Sequence, residues 1–194
     1  MTIPGAPDTP PHFPPFELRT PRLVLRFLEA RDAAALFAIF SDPEVMRYWA
    51  TPPWTALAQA HASVAQSLRD YHDGGALRMG VTVAGDDTLV GTCTLFGFHR
   101  TNRRAEIGYC LASACWGRGY MQEALHAFIN HALGSLDLHR IEADIDPRNT
   151  ASARVLERHG FKQEGFLRER WLVGDEISDT ALYGLLAREF VRTP

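Results

Sequence analysis

Lysine is almost absent: Lys162 stands alone beside nineteen arginines. That bias reads as a trace of genomic base composition and assigns no function. Cationic residues are also outnumbered, and the formal net charge is −3, which argues against a general nucleic-acid binder. Cysteine is scarce. Cys93, Cys110 and Cys115 are odd in number and form no C-x-x-C pair, so neither a disulfide framework nor a zinc site is expected. No apolar run reaches the ~18 residues of a membrane span. The first residues lack a basic segment followed by an apolar stretch, so no secretory signal is expected. A cytoplasmic protein with no metal and no membrane partner is the expectation. Proline is plentiful but uneven: six of the twelve fall between residues 4 and 15. Such density forbids a helix or a central strand and predicts a flexible arm over residues 1–16.

What is present suits one globular domain over 17–194, since 46% of the 194 residues are hydrophobic and can fill a sizeable core. Alternation over 22–28 predicts a half-buried strand. A helix over 33–40 ends near Pro43, and a second runs over 55–73 with Thr55 as N-cap and Gly74-Gly75 as its stop. Strands over 76–84 and 88–98 meet at Gly85-Asp86-Asp87, a hairpin signal, and another strand covers 105–111. Met121, Ala124, Leu125, Phe128, Ile129 and Ala132 recur at spacings of three and four, one apolar helix face. A strand over 140–145, a helix over 149–159 ended at Gly160, and strands near 161–172 and 177–186 complete the chain. This order predicts an α/β fold, a mixed sheet with helices on both faces.

The segment Glu106 to Ala124, EIGYCLASACWGRGYMQEA, carries the most chemistry. A strand runs into Trp116-Gly117-Arg118-Gly119-Tyr120, and a helix follows at once. Glycines permit close backbone approach, and a helix start offers free N–H groups and a positive dipole end. Such a turn can hold a phosphate or be a turn with no ligand. It is neither a Walker loop nor a dinucleotide fingerprint, because Gln122 replaces the third glycine.

The stretch EIGYCLASACWGRGYMQEAL resembles the acyl-CoA motif of the GNAT acetyltransferases, and especially the RimJ/RimL type that acetylates ribosomal-protein N-termini. DPRNTASARVLERHGFKQEG is similar to the family's N-x-x-S-x-x-V-L-E-x-x-G-F block. LRTPRLVLR and DTALYGLL resemble its first and last strands, so the likeness spans about residues 17 to 190. Trp116 and Met121 fill the ends of the superfamily's [QR]-x-x-G-x-[GA] pattern. Met121 is bulkier than the usual small residue there and predicts a slightly reshaped turn.

The resemblance implies the GNAT fold, in which two parallel strands splay and the pantetheine of acetyl-CoA completes the broken ladder. Backbone groups at Cys110, Leu111 and Ala112 would bind it, and Asn149 would hold it from the other side. The N–H groups of Gly117, Arg118, Gly119, Tyr120, Met121 and Gln122 would take the pyrophosphate, after Trp116. Arg118, Arg154 or Arg158 either meets a CoA phosphate or is a solvated surface residue. The implied reaction is direct transfer of acetyl to a primary amine, with a peptide α-amino group favoured. Small amines such as polyamines or antibiotics, or a non-catalytic acyl-CoA-binding module, are the alternatives. Glu106 is the candidate base, or else a salt-bridged strand carboxylate. Many relatives carry a tyrosine acid seven residues after the asparagine. Leu156 stands there, so Ser152 is the candidate donor to the thiol, or else a helix-terminal serine satisfying backbone. Tyr48, Trp49 and Trp54 either line the acceptor pocket or belong to the core, and Trp171 would add a rim. A monomer and a homodimer are equally compatible with the sequence.

Overall fold

Residues 13–191 are described by a computed structural model of the chain. β1 (Glu17–Arg19) and β2 (Leu23–Phe27) pair across a turn held by Thr20, whose hydroxyl donates to the Leu23 carbonyl and accepts from its N–H. α1 (Ala33–Phe40) forms where expected. Pro43 does more than stop it. It occupies the first turn of a short helix, α2 (Pro43–Met46), whose Glu44 N–H is capped by the Asp42 side chain; proline suits that position because its missing N–H costs nothing there. α3 (Leu57–Asp73) starts two residues later than predicted. Thr55 is not its cap: Gln59 reaches back instead and accepts the N–H groups of Thr55 and Ala56 at 2.8 and 3.0 Å. Gly74 ends the helix at φ 70°, a left-handed position that glycine fills without strain.

β3 (Leu77–Val83), β4 (Leu89–His99) and β5 (Arg104–Leu111) then form a meander. α4 (Tyr120–Gly134), β6 (Arg140–Ile145), α5 (Thr150–Arg158), β7 (Lys162–Val173) and β8 (Glu176–Leu186) complete the order. The eight strands lie as β1-β2-β3-β4-β5-β6-β8-β7, and every neighbouring pair is antiparallel except β5 with β6.

Strand alternation sends side chains to two faces, and each face has its own helices. Leu25, Met79, Leu95, Ile107, Ile141 and Leu185 share one core with Leu125, Phe128 and Ile129 of α4 and Leu156 of α5. Cys110 and Leu89 on the opposite face join Leu36, Phe40, Ala60 and Val64 of α1 and α3. Full burial of each large side chain contributes roughly 1.5–3 kcal/mol.

The proline-rich segment departs from expectation at its end. Phe13 is 4% exposed, and its N–H bonds the Tyr71 carbonyl at 2.9 Å. Phe16 stacks on His131 with ring centroids 4.4 Å apart. Residues 13–16 therefore pack on the domain, Phe13 buried and Phe16 partly so. The rest of the predicted arm, residues 1–12, lies outside the described residues.

Candidate active site

The one parallel junction is short. β5 and β6 pair only at Arg104↔Arg140, Ala105↔Ile141 and Glu106↔Glu142. Beyond Glu106 the strands diverge: β5 stays on β4 as far as Leu111, and β6 stays on β8 as far as Ile145. The Ala112 N–H bonds Val90 on the β4 side. Antiparallel residues alternate in the direction of their backbone groups, so those of Tyr109 and Leu111 face the gap. The Leu111 carbonyl is taken by the Trp116 indole at 2.8 Å. Its N–H, and both groups of Tyr109, face the space where a ladder would continue, and unpaired backbone of this kind calls for a partner.

Past β5 the chain turns through Gly117 and Gly119, at φ 74° and 75°, into α4. A Cβ at Gly117 would meet nothing within 4 Å, and one at Gly119 would meet only Arg22 Nη2 at 3.5 Å. The cradle is thus open, and no side chain caps the α4 N-terminus. Free N–H groups at a helix start, approached without side chains in the way, suit a pyrophosphate. Arg22 braces the turn: it bonds the Arg118 carbonyl and Glu123, and lies over the Tyr120 ring. The Met121 side chain, expected to reshape the turn, points away from it. It is buried in the α4 core, where Cys93 Sγ contacts its sulfur at 3.9 Å. The Gln122 side chain also leaves the cradle, turning to the buried His159.

On the α5 side of the gap, Asn149 caps the helix by accepting the Ser152 N–H at 3.0 Å. The Ser152 hydroxyl lies 2.7 Å from the Tyr109 hydroxyl. Burial holds the Tyr109 phenol above its ordinary range, against the pull of the Ser152 hydrogen bond. On the other face, Glu106 stands at the last paired row. Burial raises its carboxyl above the ordinary value, and the charges of Asp144 and Glu142 add to that rise, while Arg104 and Arg170 oppose it. A cavity of about 310 Å³ on this side is lined by Tyr48, Trp49, Asp144, Asp146, Arg148, Trp171 and Glu176, among others. Arginines already occupy much of this wall: Arg148 pairs with Asp146 and Glu176 and stands over the Tyr48 ring, and Arg170 lies 3.6 Å from Asp144 and over Trp171.

The family model for the acetyltransferase (GNAT) domain matches residues 22–162. The chain belongs to the GNAT acetyltransferase family. It is 38% identical to an uncharacterised N-acetyltransferase, p20, of Bacillus licheniformis, over 89% of this chain and 97% of that one. It is 28% identical to the [ribosomal protein uS5]-alanine N-acetyltransferase of Escherichia coli, over 89% of this chain and 91% of that one. The solved structure of Mycobacterium smegmatis RimJ in complex with CoA-disulfide superposes with a TM-score of 0.76 at 30% identity, over 90% of this chain and 88% of that one. The protein is an N-acetyltransferase with the mixed GNAT sheet, and members of its family use acetyl-CoA and an amine acceptor.

The fold of this acetyltransferase gathers most of the sequence-predicted residues around the fork. Tyr48, Trp49 and Trp171 line the cavity. Trp54 does not: it stacks on Phe40 with centroids 4.7 Å apart and takes part in the α1–α3 core. Arg154 is exposed on α5, and Arg118 is exposed on the turn. Cys110 is buried beside the Thr92 hydroxyl, and burial keeps its thiol above the ordinary range, so it is a small apolar residue here and no nucleophile. Tyr109 was missed as a functional side chain. Its signal was the same alternation that set Glu106 apart, which sends Tyr109 to the α5 face. Arg22 was missed as well, since only the fold brings it to the turn. Among the described residues, no helix is long and apolar enough to cross a membrane.

Proposed function

We propose that this acetyltransferase moves acetyl from acetyl-CoA straight to a primary amine, and that its preferred acceptor is the α-amino group of a peptide or protein N-terminus. The supporting observation is the placement of Glu106. It ends the paired rows of β5 and β6, lies on the same sheet face as Asp144 of the cavity wall, and has a carboxyl made more basic by burial.

The thioester supplies the acetyl group, and every other role falls to this chain. The backbone of Gly117 to Gln122 holds the pyrophosphate, while Asn149 and the gap-facing groups of Tyr109 hold the pantetheine. Glu106 takes the proton that the amine nitrogen loses as it bonds the carbonyl carbon. The Leu111 N–H stabilises the negative charge that develops on the carbonyl oxygen. The Ser152 hydroxyl donates a hydrogen bond to the sulfur as the C–S bond breaks, Tyr109 orients it through their shared hydrogen bond, and the released thiolate takes its proton from water. An α-amino group, with a pKa near 7.7–8.0 against about 10.4 for lysine, asks less of one carboxylate. The likeness to an enzyme that acetylates an N-terminal alanine supports the same acceptor.

Thiol release from acetyl-CoA, measured against free-amine peptides, the same peptides blocked at the N-terminus, and small amines including polyamines, tests this reading. Turnover should be highest with the free peptides and vanish on blocking. Turnover with polyamines alone would overturn the peptide assignment.

A further inference from the structure

A second cavity, of about 350 Å³, lies over β3, β4 and β5 on the face that carries Glu106. Trp49 lines both it and the first cavity, so the two adjoin at that side chain. Its lining includes Arg78, Ser63, Thr94, Phe96 and Gly108. Arg78 is half-buried. Its guanidinium donates to the Ser63 hydroxyl at 2.7 Å, approaches the Thr94 hydroxyl at 3.4 Å, and stands over the Phe40 ring. Among the described residues no carboxylate pairs with it, although fourteen ion pairs satisfy arginines and the lysine elsewhere. Asp70 lines the same cavity but accepts the Gln66 amide and stays outside ion-pair distance of the guanidinium. A half-buried guanidinium held by neutral hydroxyls keeps donors for an anion.

We infer that Arg78 is an anion subsite of the acceptor cleft, and that the acceptor carries a carboxylate near its reactive amine. This rests on the proposed α-amino acceptor. Register sets the spacing. Arg78 pairs with Thr94 and Thr94 with Gly108, while Phe96 pairs with Glu106 one like-facing row away. Two strand spacings and two residues of rise separate the Arg78 and Glu106 backbones by ~12 Å. The Arg78 guanidinium turns to Ser63 and Thr94 and the Glu106 carboxylate to Gly97, and the span takes about two to three residues of extended peptide at ~3.3 Å each. Gly108 has no side chain, and the Phe96 ring edge lies 3.4 Å from where its Cβ would stand, so an acceptor would run along that ring. An acceptor peptide therefore carries Asp or Glu at its second or third position, where a charge-assisted hydrogen bond to Arg78 selects it.

The experiment compares Ala-Asp and Ala-Asn peptides, the matching third-position pair, and 4-aminobutyrate with its amide. Each is titrated calorimetrically into CoA-saturated protein, so binding is read without turnover, and kcat/KM follows for every acceptor that reacts. The acidic member of at least one pair should bind about 10-fold or more tightly than its amide. Arg78→Gln should erase that preference while leaving the amides unchanged, and Arg78→Lys should keep part of it. Charge preference confined to 4-aminobutyrate would sink the peptide reading and keep the subsite. Equal binding of acid and amide in every pair, or a preference that survives in folded Arg78→Gln, would overturn the inference.

Discussion

Glu106 and Ser152 lie on opposite faces of the β5–β6 fork, whereas Ser152 and Tyr109 share one hydrogen bond. Two double-mutant cycles follow from that difference. Glu106→Gln keeps the shape of the side chain but loses the base, and a positioned base contributes about 10²–10⁴-fold, or ~2.7–5.4 kcal/mol of barrier. Ser152→Ala removes the donor to the leaving thiol and should cost about 10²-fold, the lower end of that range, because a thiol leaves more readily than an amine. Tyr109→Phe removes only the partner of that donor, a single neutral hydrogen bond of ~0.5–1.5 kcal/mol, or about 2- to 13-fold. Residues that act on different atoms have additive barriers, and residues that act as a unit do not. Glu106→Gln with Ser152→Ala should therefore multiply, within about a factor of two. Tyr109→Phe with Ser152→Ala should be no slower than Ser152→Ala alone. The assay is thiol release at saturating acetyl-CoA, with one confirmed acceptor and with CoA affinity checked for every variant. A multiplicative Tyr109–Ser152 pair would show that the two hydroxyls do not work as a unit. Full activity in Glu106→Gln would remove the base from the mechanism and leave positioning as the catalyst.

Other perturbations read other parts of the molecule. Gly119→Val puts a β-branched residue at φ 75° on the open cradle and should weaken CoA binding at least about 10-fold by calorimetry, with Gly119→Ala milder; unchanged affinity in a folded variant would move the pyrophosphate elsewhere. Asp144→Asn removes a charge that raises the Glu106 carboxyl. Because Glu106 works as the carboxylate, activity falls as pH drops through its pKa, so the acid limb of kcat/KM should move to lower pH; a limb moving upward would contradict the coupling. Arg26 binds both oxygens of buried Asp32, at 2.8 and 2.9 Å, and also Asp87. Arg26→Met strands a buried charge and should cost ~3–5 kcal/mol in urea unfolding, whereas a loss under ~1 kcal/mol would place this network with weak surface pairs.

Much of the framework was legible because periodicity is local. The α4 stripe of Ala124, Leu125, Phe128, Ile129 and Ala132 is buried as its spacing demanded, and β6 begins and ends where predicted. What escaped reading depends on distant partners. Pro43 looked like a stop because the Asp42 cap that lets it open α2 is a side-chain detail. Phe13 and Phe16 sat among prolines, and only Tyr71 and His131 reveal where they pack. Thr55 had the chemistry of a cap, but Gln59 won the same N–H groups from inside the helix. At the site, alternation separated Glu106 from Tyr109, yet no spacing rule joins Tyr109 to Ser152 forty-three residues later.

Only three rows join β5 to β6, while the ribbons on either side are held by far longer pairings. In amide-exchange terms the sheet is a five-stranded and a three-stranded ribbon stapled at one end, with rungs missing at the other. A bound pantetheine would supply those rungs. The Tyr109 amide should then lose its label quickly in the free protein and slowly with CoA, the Leu111 amide should need acetyl-CoA for the same protection, and the two ribbons should come to open as one cooperative unit. Substrate binding in this fold would thus complete a secondary structure that the chain leaves unfinished.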